Sequence, residues 1–397
     1  GLRRAEGIIS GKEGNDRSMQ NKKVKTRGIP LEIKGGYKMK KALSVLLTAA
    51  LCLSLAGCGG GNKSEAPAAP AADAQGGADS AGGEAAAPTD DYHLVLKLSH
   101  VFAPEEQLTK TMDSICNNIK ERTNGAIEIQ HFPQGQLATY KDGVEQVVRG
   151  AEFISVEDPS YLGDYVPDFN ILAGPMLVNS FDEYEYLLES DEVKEMFQAA
   201  EEKGIKILSL DYIFGFRSMM TNKVITTPED MKGLKIRTPG SQLYVDTLNH
   251  MGATATPLAF SETISAVQQG VVDGLEGTID AYATNGSAEV AKNMALTKHL
   301  LGVCGAYISV DVWNKIPAEY QEIIQEEFTK GAEEMVKNIS EGEAATREKL
   351  EKEMGITFNE VDSEAFAKTV EPIYANMKDV TPGRYERFKE IIAEMPK

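Results

Sequence analysis

The sequence predicts an α/β protein of two lobes, with a ligand cleft between the lobes and one long helix that spans both. Strand-like and helix-like patterns alternate over 94–212, and the alternation starts again near 217. A nearly unbroken helical pattern then runs from Pro317 to about Gly355. At about 1.5 Å per residue such a helix exceeds roughly 50 Å. It would be longer than one lobe, so we expect it to cross both.

Periodicity assigns the individual elements, because strands alternate apolar and polar side chains whereas helices repeat apolar residues every three or four positions. The alternation is typical of an α/β protein with a largely parallel sheet. In the first lobe the patterns predict strands at 94–102, 126–132, 153–157 and 206–212 and helices at 104–125, 140–149 and 181–203. In the second lobe they predict strands at 217–222, 233–237 and 253–258 and helices at 241–251 and 261–270.

The first ninety residues are predicted to lie outside the folded part. Residues 1–38 are polar and basic without periodicity, which indicates an upstream extension rather than the native start. Residues 39–57 combine a positive start, an apolar stretch and a small-residue end, the pattern of a signal peptide that is too short to span a membrane. Residues 58–90 are mainly Ala, Gly, Pro and Ser, a composition typical of a flexible linker.

The end of the signal peptide, LAGC at 55–58, resembles the bacterial lipobox. The resemblance implies cleavage before Cys58 and diacylation of its thiol, which would anchor the protein to the outer face of the cell membrane or hold it in the periplasm. An ordinary secretory peptide with a chance cysteine is the alternative.

Net charge, cysteine content and the absence of metal motifs limit which partners, disulfides and cofactors the chain could have. Residues 1–57 hold 12 basic and 4 acidic residues, so the remainder would carry 29 basic and 56 acidic side chains, a formal net charge of −27. Such a surface argues against nucleic acid as a partner. Cys116 and Cys304 remain after the signal peptide, and the sequence leaves open whether they pair. No CxxC, HExxH or clustered His motif is present, so we predict no cofactor and no dedicated metal site.

Two arginines are the strongest candidates for ligand binding. Arg217 and Arg237 each stand at an end of a predicted strand in the second lobe, and ligands in α/β proteins lie at strand ends. If the strands are neighbours, both guanidinium groups can face one cleft, where their planar forks match a carboxylate. The alternative is that each arginine pairs with a surface acid.

The segment 226–277 resembles the solute-binding proteins of TRAP transporters, the DctP-type family. The motifs that carry the resemblance are PEDMKGLKIR, GATATPLAFSE and QGVVDGLEG, and the likeness extends over about 93–395 through KLSHVF, VPDF and VDVWNKIP. It implies a periplasmic-binding-protein-like receptor that closes on an organic acid and delivers the carboxylate to an ion-gradient-driven membrane permease. We assign 91–214 with about 303–342 to lobe I, and 215–302 with about 343–397 to lobe II.

The resemblance also assigns roles to residues. It implies that Arg237 forms the principal salt bridge to the ligand carboxylate and that Arg217 is a second ligand arginine. A pocket-lining role is implied for Phe260, and the first-lobe candidates are His100, Phe102, Glu157 and Tyr161. Each of these has a structural alternative, as a core aromatic, a satisfied histidine or a solvated acid.

One position departs from the family pattern. Gly277 follows Glu276 where many members have Asn, which removes a side-chain donor and leaves room. The departure permits a larger or differently oriented acid. A metal ion on the ligand is neither required nor excluded by these residues.

Two other functional classes compete with the receptor. An exported enzyme acting on an acidic or sugar substrate is conceivable because acidic residues are plentiful, but no G-x-S-x-G elbow, Cys-His set or metal motif supports catalysis. A structural surface lipoprotein is disfavoured because the chain has no sequence repeats. We therefore predict a receptor and not an enzyme.

Overall fold

The computed structural model describes residues 92–396. The predicted upstream extension, signal peptide, lipidation site at Cys58 and linker lie outside the described residues. Within 92–396 no helix is both long enough and apolar enough to cross a membrane.

Strands and helices alternate along the described chain. The strands are β1 Leu94–Ser99, β2 Ile127–Phe132, β3 Phe153–Glu157, β4 Ile205–Thr221, β5 Lys235–Thr238, β6 Thr254–Pro257, β7 Gly274–Gly277, β8 Asn293–Ser309 and β9 Thr357–Asn359. The helices are α1 Gln107–Arg122, α2 Tyr140–Val148, α3 Phe169–Leu172, α4 Phe181–Leu188, α5 Asp191–Glu202, α6 Pro228–Met231, α7 Gln242–His250, α8 Thr263–Gln268, α9 Ile279–Thr284, α10 Ser287–Val290, α11 Val310–Trp313, α12 Ala318–Met354, α13 Ser363–Asn376 and α14 Arg384–Glu394. Short 3₁₀ turns cover Pro159–Leu162 and Phe260–Glu262.

The strands form one mixed sheet with the order β2-β1-β3-β8-β4-β7-β5-β6, and β9 pairs with β8. Parallel pairs lie at both ends, where β1 joins β2 and β3, and β5 joins β6 and β7. In the middle, β4 and β8 are antiparallel strands of 17 residues each, and they belong to both halves of the sheet. The two lobes therefore share these two long strands.

Three predicted elements differ from the observed ones. The predicted strands 206–212 and 217–222 are parts of the single strand β4, which stays paired through irregular register and passes Gly215 at φ 113°. The predicted helix 181–203 is two helices, because the Ser190 hydroxyl accepts a hydrogen bond from the Val193 N–H and so begins a new one. Strand β8 was not predicted.

The long helix α12 confirms the predicted spanning helix. Its 37 residues correspond to about 55 Å. Phe328 and Met335 pack into the core that contains α1 and β1, whereas Leu350 packs into a separate core with Tyr282 and Leu275 of the second half. One rigid element therefore contacts both lobes.

Both remaining cysteines are free thiols, so the open question of pairing is answered in this structure. Cys116 packs in the core between α1 and α12, and Cys304 lies on β8. Trp313, at the end of α11, packs against the same core just before α12 begins.

Candidate functional site

A cavity lies where the loops of the first half of the sheet face β5, β7 and the 3₁₀ turn of the second half. Its polar walls come from both sides, with arginines on the second-half side and carboxyl groups on the first-half side. Six of the seven residues nominated as ligand contacts line it: Arg237, Arg217, Phe260, Glu157, Phe102 and Tyr161. The sequence reasoning missed further lining residues, among them Glu106, Tyr140, Asp158, Tyr244 and Tyr282.

Arg237 is a buried cation without an acidic partner among the described residues. It is the third residue of β5 and is 2% exposed. Its Nε and Nη2 donate to the carbonyl oxygen of Leu258 at 3.1 and 2.8 Å, and Nη2 lies 3.4 Å from the hydroxyl of Tyr140. The guanidinium carbon lies 5.5 Å from the centre of the Phe260 ring. Burying a charge without a counter-charge is unfavourable. An anion bound beside the Arg237 guanidinium would remove this cost.

Arg217 has its counter-charge inside the protein. It lies within β4 rather than at a strand end, and β4 pairs with β7, which carries Glu276. Nε and Nη2 of Arg217 donate to the two carboxylate oxygens of Glu276 at 2.6 and 2.7 Å. Burial raises the pKa of Glu276, but Arg217 and His299 lower it by a larger amount. The net result is a pKa of about 2. The pair stays ionised at neutral pH, and Arg217 contributes a compensated charge to the cavity.

Glu157 links the first-half side of the cavity to Arg237 on the second-half side, through Tyr140. It ends β3, is 2% exposed, and its Oε1 accepts the Tyr140 N–H at 2.6 Å. Tyr140 has φ 55°, a left-handed conformation that is uncommon outside glycine, and the bond to Glu157 holds it there. The same tyrosine presents its hydroxyl to Arg237. Burial raises the pKa of Glu157 to about 8.

His100 is the nominated residue that does not line the cavity. It is fully buried, and its Nδ1 accepts the N–H of Phe102 at 3.2 Å. Its Nε2 therefore carries the proton and donates to Nε2 of His131 at 2.7 Å, whose Nδ1 in turn donates to Asp113 at 2.7 Å. Burial, and then His131, lower the pKa of His100 to about 3. His100 thus supports the backbone of the Phe102 loop, and its ring contacts His131 of β2 rather than the cavity.

The aromatic candidates form the apolar part of the walls. Phe102 meets Phe214 edge to face, with ring centres 5.1 Å apart. Tyr161 is 8% exposed and its ring centre lies 5.7 Å from that of Tyr140. The hydroxyl of Tyr161 has no hydrogen-bond partner among the described residues.

Gly277 lines the cavity beside the Tyr282 ring. A Cβ placed at Gly277 would lie 3.4 Å from Cε1 of that ring. The space left by the missing family Asn is therefore bounded by Tyr282.

A larger groove of about 490 Å³ runs along α12 and carries charges of both signs, including Lys298, Arg347, Asp280 and Glu343. Arg347 pairs with Glu351 at 3.3 Å. This groove lacks an uncompensated buried cation, so the smaller cavity is the better candidate for the site. Within the described residues no cluster of His, Cys, Asp or Glu could hold a metal ion.

Glu157→Gln is expected to change how stability depends on pH. The native pKa near 8 lies above the ordinary value of 4.5, so the stability that Glu157 contributes is fully present below about pH 4.5 and is lost as the pH rises toward 8. We expect the ligand-free variant to melt at least about 2 °C higher than the wild type at pH 8 and at the same temperature at pH 4.5.

Thermal melts at both pH values test this, with the exposed Glu341→Gln on α12 as the matched control. The control should follow the wild type throughout. An equal pH dependence in wild type and Glu157→Gln would show that Glu157 is ionised in the native cavity.

The family model for bacterial extracellular solute-binding proteins, family 7 (DctP), matches residues 98–379. A solved TRAP periplasmic solute-binding protein from Desulfovibrio salexigens, in complex with diglycerolphosphate, is 57% identical, with a TM-score of 0.75 over 77% of this chain and 98% of that one. A Fusobacterium relative with bound sn-glycerol-3-phosphate is 44% identical, with a TM-score of 0.75 over 76% and 97% of the two chains.

A third solved structure is less similar in sequence but similar in fold. The TRAP solute-binding protein of Actinobacillus succinogenes with bound L-galactonate is 30% identical, with a TM-score of 0.73 over 76% of this chain and all of that one (100%). The predicted two-lobed receptor fold is confirmed by these structures. The chain belongs to the bacterial extracellular solute-binding proteins of family 7, the DctP family of TRAP transporter receptors.

Proposed function

We propose that this protein captures a small organic anion in the cavity between its lobes and delivers it to an ion-gradient-driven TRAP permease. The observation that carries the proposal is the buried Arg237 guanidinium, which faces the cavity without an acidic partner among residues 92–396. An anionic ligand group supplies the missing counter-charge, and Arg217 is a secondary contact because Glu276 already neutralises it.

The ligand enters while the lobes are apart and is captured by hinge closure. Lobe I comprises 91–214 with about 303–342, and lobe II comprises 215–302 with about 343–397, so the hinge falls on the long strands β4 and β8. Separation of the lobes about these strands opens the cavity, and binding across both walls favours the closed form. The C-terminal helix α14 reaches back to lobe I, where Phe388 joins its core.

Two chemical classes of anion fit Arg237. A carboxylate is the predicted class, and the relative at 30% identity has L-galactonate bound. A phosphate ester of glycerol is the second candidate, favoured by the relatives at 57% and 44% identity, which have diglycerolphosphate and sn-glycerol-3-phosphate bound. A guanidinium fork pairs with either group.

A thermal-shift screen of the purified protein tests the function and separates the two classes, because a ligand that binds only the native state raises the melting temperature. The panel contains L-galactonate, D-galacturonate, succinate, sn-glycerol 3-phosphate and glycerol. We expect a shift from at least one anion and none from glycerol. A shift from glycerol alone, with none from the four anions, would contradict capture of an anion.

We also propose that the protein is exported and lipid-anchored through Cys58. Its support is the LAGC pattern followed by a Gly-rich segment. In a bacterial host we expect the full-length protein to enter the detergent phase on Triton X-114 partitioning, and Cys58→Ala to stay in the aqueous phase. Cys52→Ala, within the signal peptide, is the matched control and should still enter the detergent phase. Identical partitioning of Cys58→Ala and wild type would contradict the anchor.

A further inference from the structure

Two tyrosine hydroxyls on the second-half side of the cavity already donate within the protein. The Tyr244 hydroxyl donates to Oδ2 of Asp158 at 2.5 Å. The Tyr282 hydroxyl donates to the carbonyl oxygen of Ser218 at 2.7 Å. Because a hydroxyl has only one hydrogen to donate, neither tyrosine can donate to a ligand without losing its present bond.

Asn285 on the same side has an uncharged donor without a partner. It is the residue that follows α9, it is half-buried, and it lines the cavity. Its Oδ1 accepts the N–H of Ser287 at 2.9 Å. Because a backbone N–H can only donate, this bond fixes which end of the carboxamide is the oxygen. The Nδ2 group, with its two hydrogens, has no hydrogen-bond partner among the described residues.

The chain around Asn285 holds the carboxamide in place. The Asn285 N–H donates to the Ala281 carbonyl oxygen at 2.9 Å. Gly286 then turns the chain from α9 into α10 at φ 85°, a left-handed conformation that glycine adopts without strain. A side chain that is already fixed loses less conformational entropy when it binds a ligand than a mobile one does.

The residues beside Asn285 leave room for a ligand. Ala281 lies four residues before it, hence on the same face of α9, and has a small side chain. Gly277, at the end of β7, has none, and both residues line the cavity. Tyr282 and Asn285 are therefore the larger side chains that 277–285 presents to the cavity. Of these two, only Asn285 has a free donor.

We infer that Asn285 is a ligand-binding residue, whose Nδ2 donates a hydrogen bond to an oxygen of the anion that Arg237 neutralises. The inference rests on the proposed function, since it requires an anion in the cavity. A guanidinium attracts anions in general, whereas a neutral donor at a fixed position distinguishes anions by where they carry an acceptor oxygen. Asn285 therefore contributes to specificity.

Asn285→Asp removes the donor and keeps the local structure. The variant retains an oxygen that can accept the Ser287 N–H, so without ligand it should melt within about 2 °C of the wild type. Its second oxygen can only accept, and it has the same sign of charge as the ligand. The titrant is whichever of succinate, L-galactonate, D-galacturonate and sn-glycerol 3-phosphate binds the wild type most tightly. By titration calorimetry we expect the variant to bind it at least about thirtyfold more weakly.

Asn285→Ala separates the lost donor from the added charge. It removes the carboxamide and introduces no charge, so we expect binding of the same anion about tenfold weaker than in the wild type. The melting temperature without ligand should fall by about 1–3 °C, because the Ser287 N–H loses its acceptor.

Asn249→Asp is the matched control. Oδ1 of Asn249 also accepts a backbone N–H, that of Ala255 at 3.0 Å, but Asn249 is exposed and does not line the cavity. The variant adds the same charge to the protein and should bind the anion like the wild type.

The outcomes separate this inference from the proposed function. A purely structural role for Asn285 predicts normal binding in Asn285→Asp and a loss only in Asn285→Ala. Wild-type affinity in either variant would therefore overturn the ligand contact while the anion receptor stands. If the wild type bound none of the four anions, the proposed function and this inference would both be overturned.

Discussion

Arg237→Ala is expected to weaken binding of the anionic ligand at least about a hundredfold, because truncating one partner of a buried charge pair is costly. The ligand-free protein should be as stable as the wild type or more so, since the variant removes a buried cation that has no acidic partner among the described residues. Arg237→Lys should recover only part of the affinity, because an ammonium lacks the planar fork.

Titration calorimetry and thermal melts measure both effects. The matched control is Arg149→Ala, which removes an arginine paired with Glu145 outside the cavity. It should bind like the wild type. Wild-type affinity in Arg237→Ala would mean that another group holds the anion.

Arg217→Ala is expected to act mainly on stability. Its partner Glu276 has a fully buried side chain, and removing one member of a buried ion pair typically costs about 3–5 kcal/mol. The free energy of unfolding should therefore fall by about that amount. The double variant Arg217→Met with Glu276→Leu should recover much of the loss, because no uncompensated charge remains.

Urea unfolding of Arg217→Ala, of the single variants Arg217→Met and Glu276→Leu, and of the double variant measures this coupling. The two arginine variants should differ although both arginines line the same cavity. Arg217 is paired with Glu276, so Arg217→Ala should mainly lower stability, whereas Arg237 has no acidic partner among the described residues, so Arg237→Ala should mainly lower affinity. If Arg217→Ala lost binding without losing stability, Arg217 would be a primary ligand contact and its pairing with Glu276 would be secondary.

Local patterns predicted the part of the site that depends on short segments. Arg237 was nominated because it stands at the end of a short predicted strand and Phe260 because a family motif surrounds it, and both line the cavity. The spanning helix α12 was found because its periodicity is continuous. These features depend on contiguous residues, which a single sequence displays.

The rest of the site depends on contacts between distant segments. The sequence shows Arg217 and Glu276 as isolated charges, and only the pairing of β4 with β7 brings them together. Gly215 resembles a break between two strands, although β4 continues through it. The family resemblance nominated His100 as a first-lobe ligand contact, but its ring bonds to His131 of β2 and lies behind the cavity.

The most direct test of the central claim is a crystal structure of the protein with whichever of L-galactonate or sn-glycerol 3-phosphate binds more tightly. We expect the anionic group to accept hydrogen bonds from the Arg237 guanidinium at about 2.7–2.9 Å. An anionic group held elsewhere, with Arg237 still bonded only to the Leu258 carbonyl oxygen and Tyr140, would contradict the account.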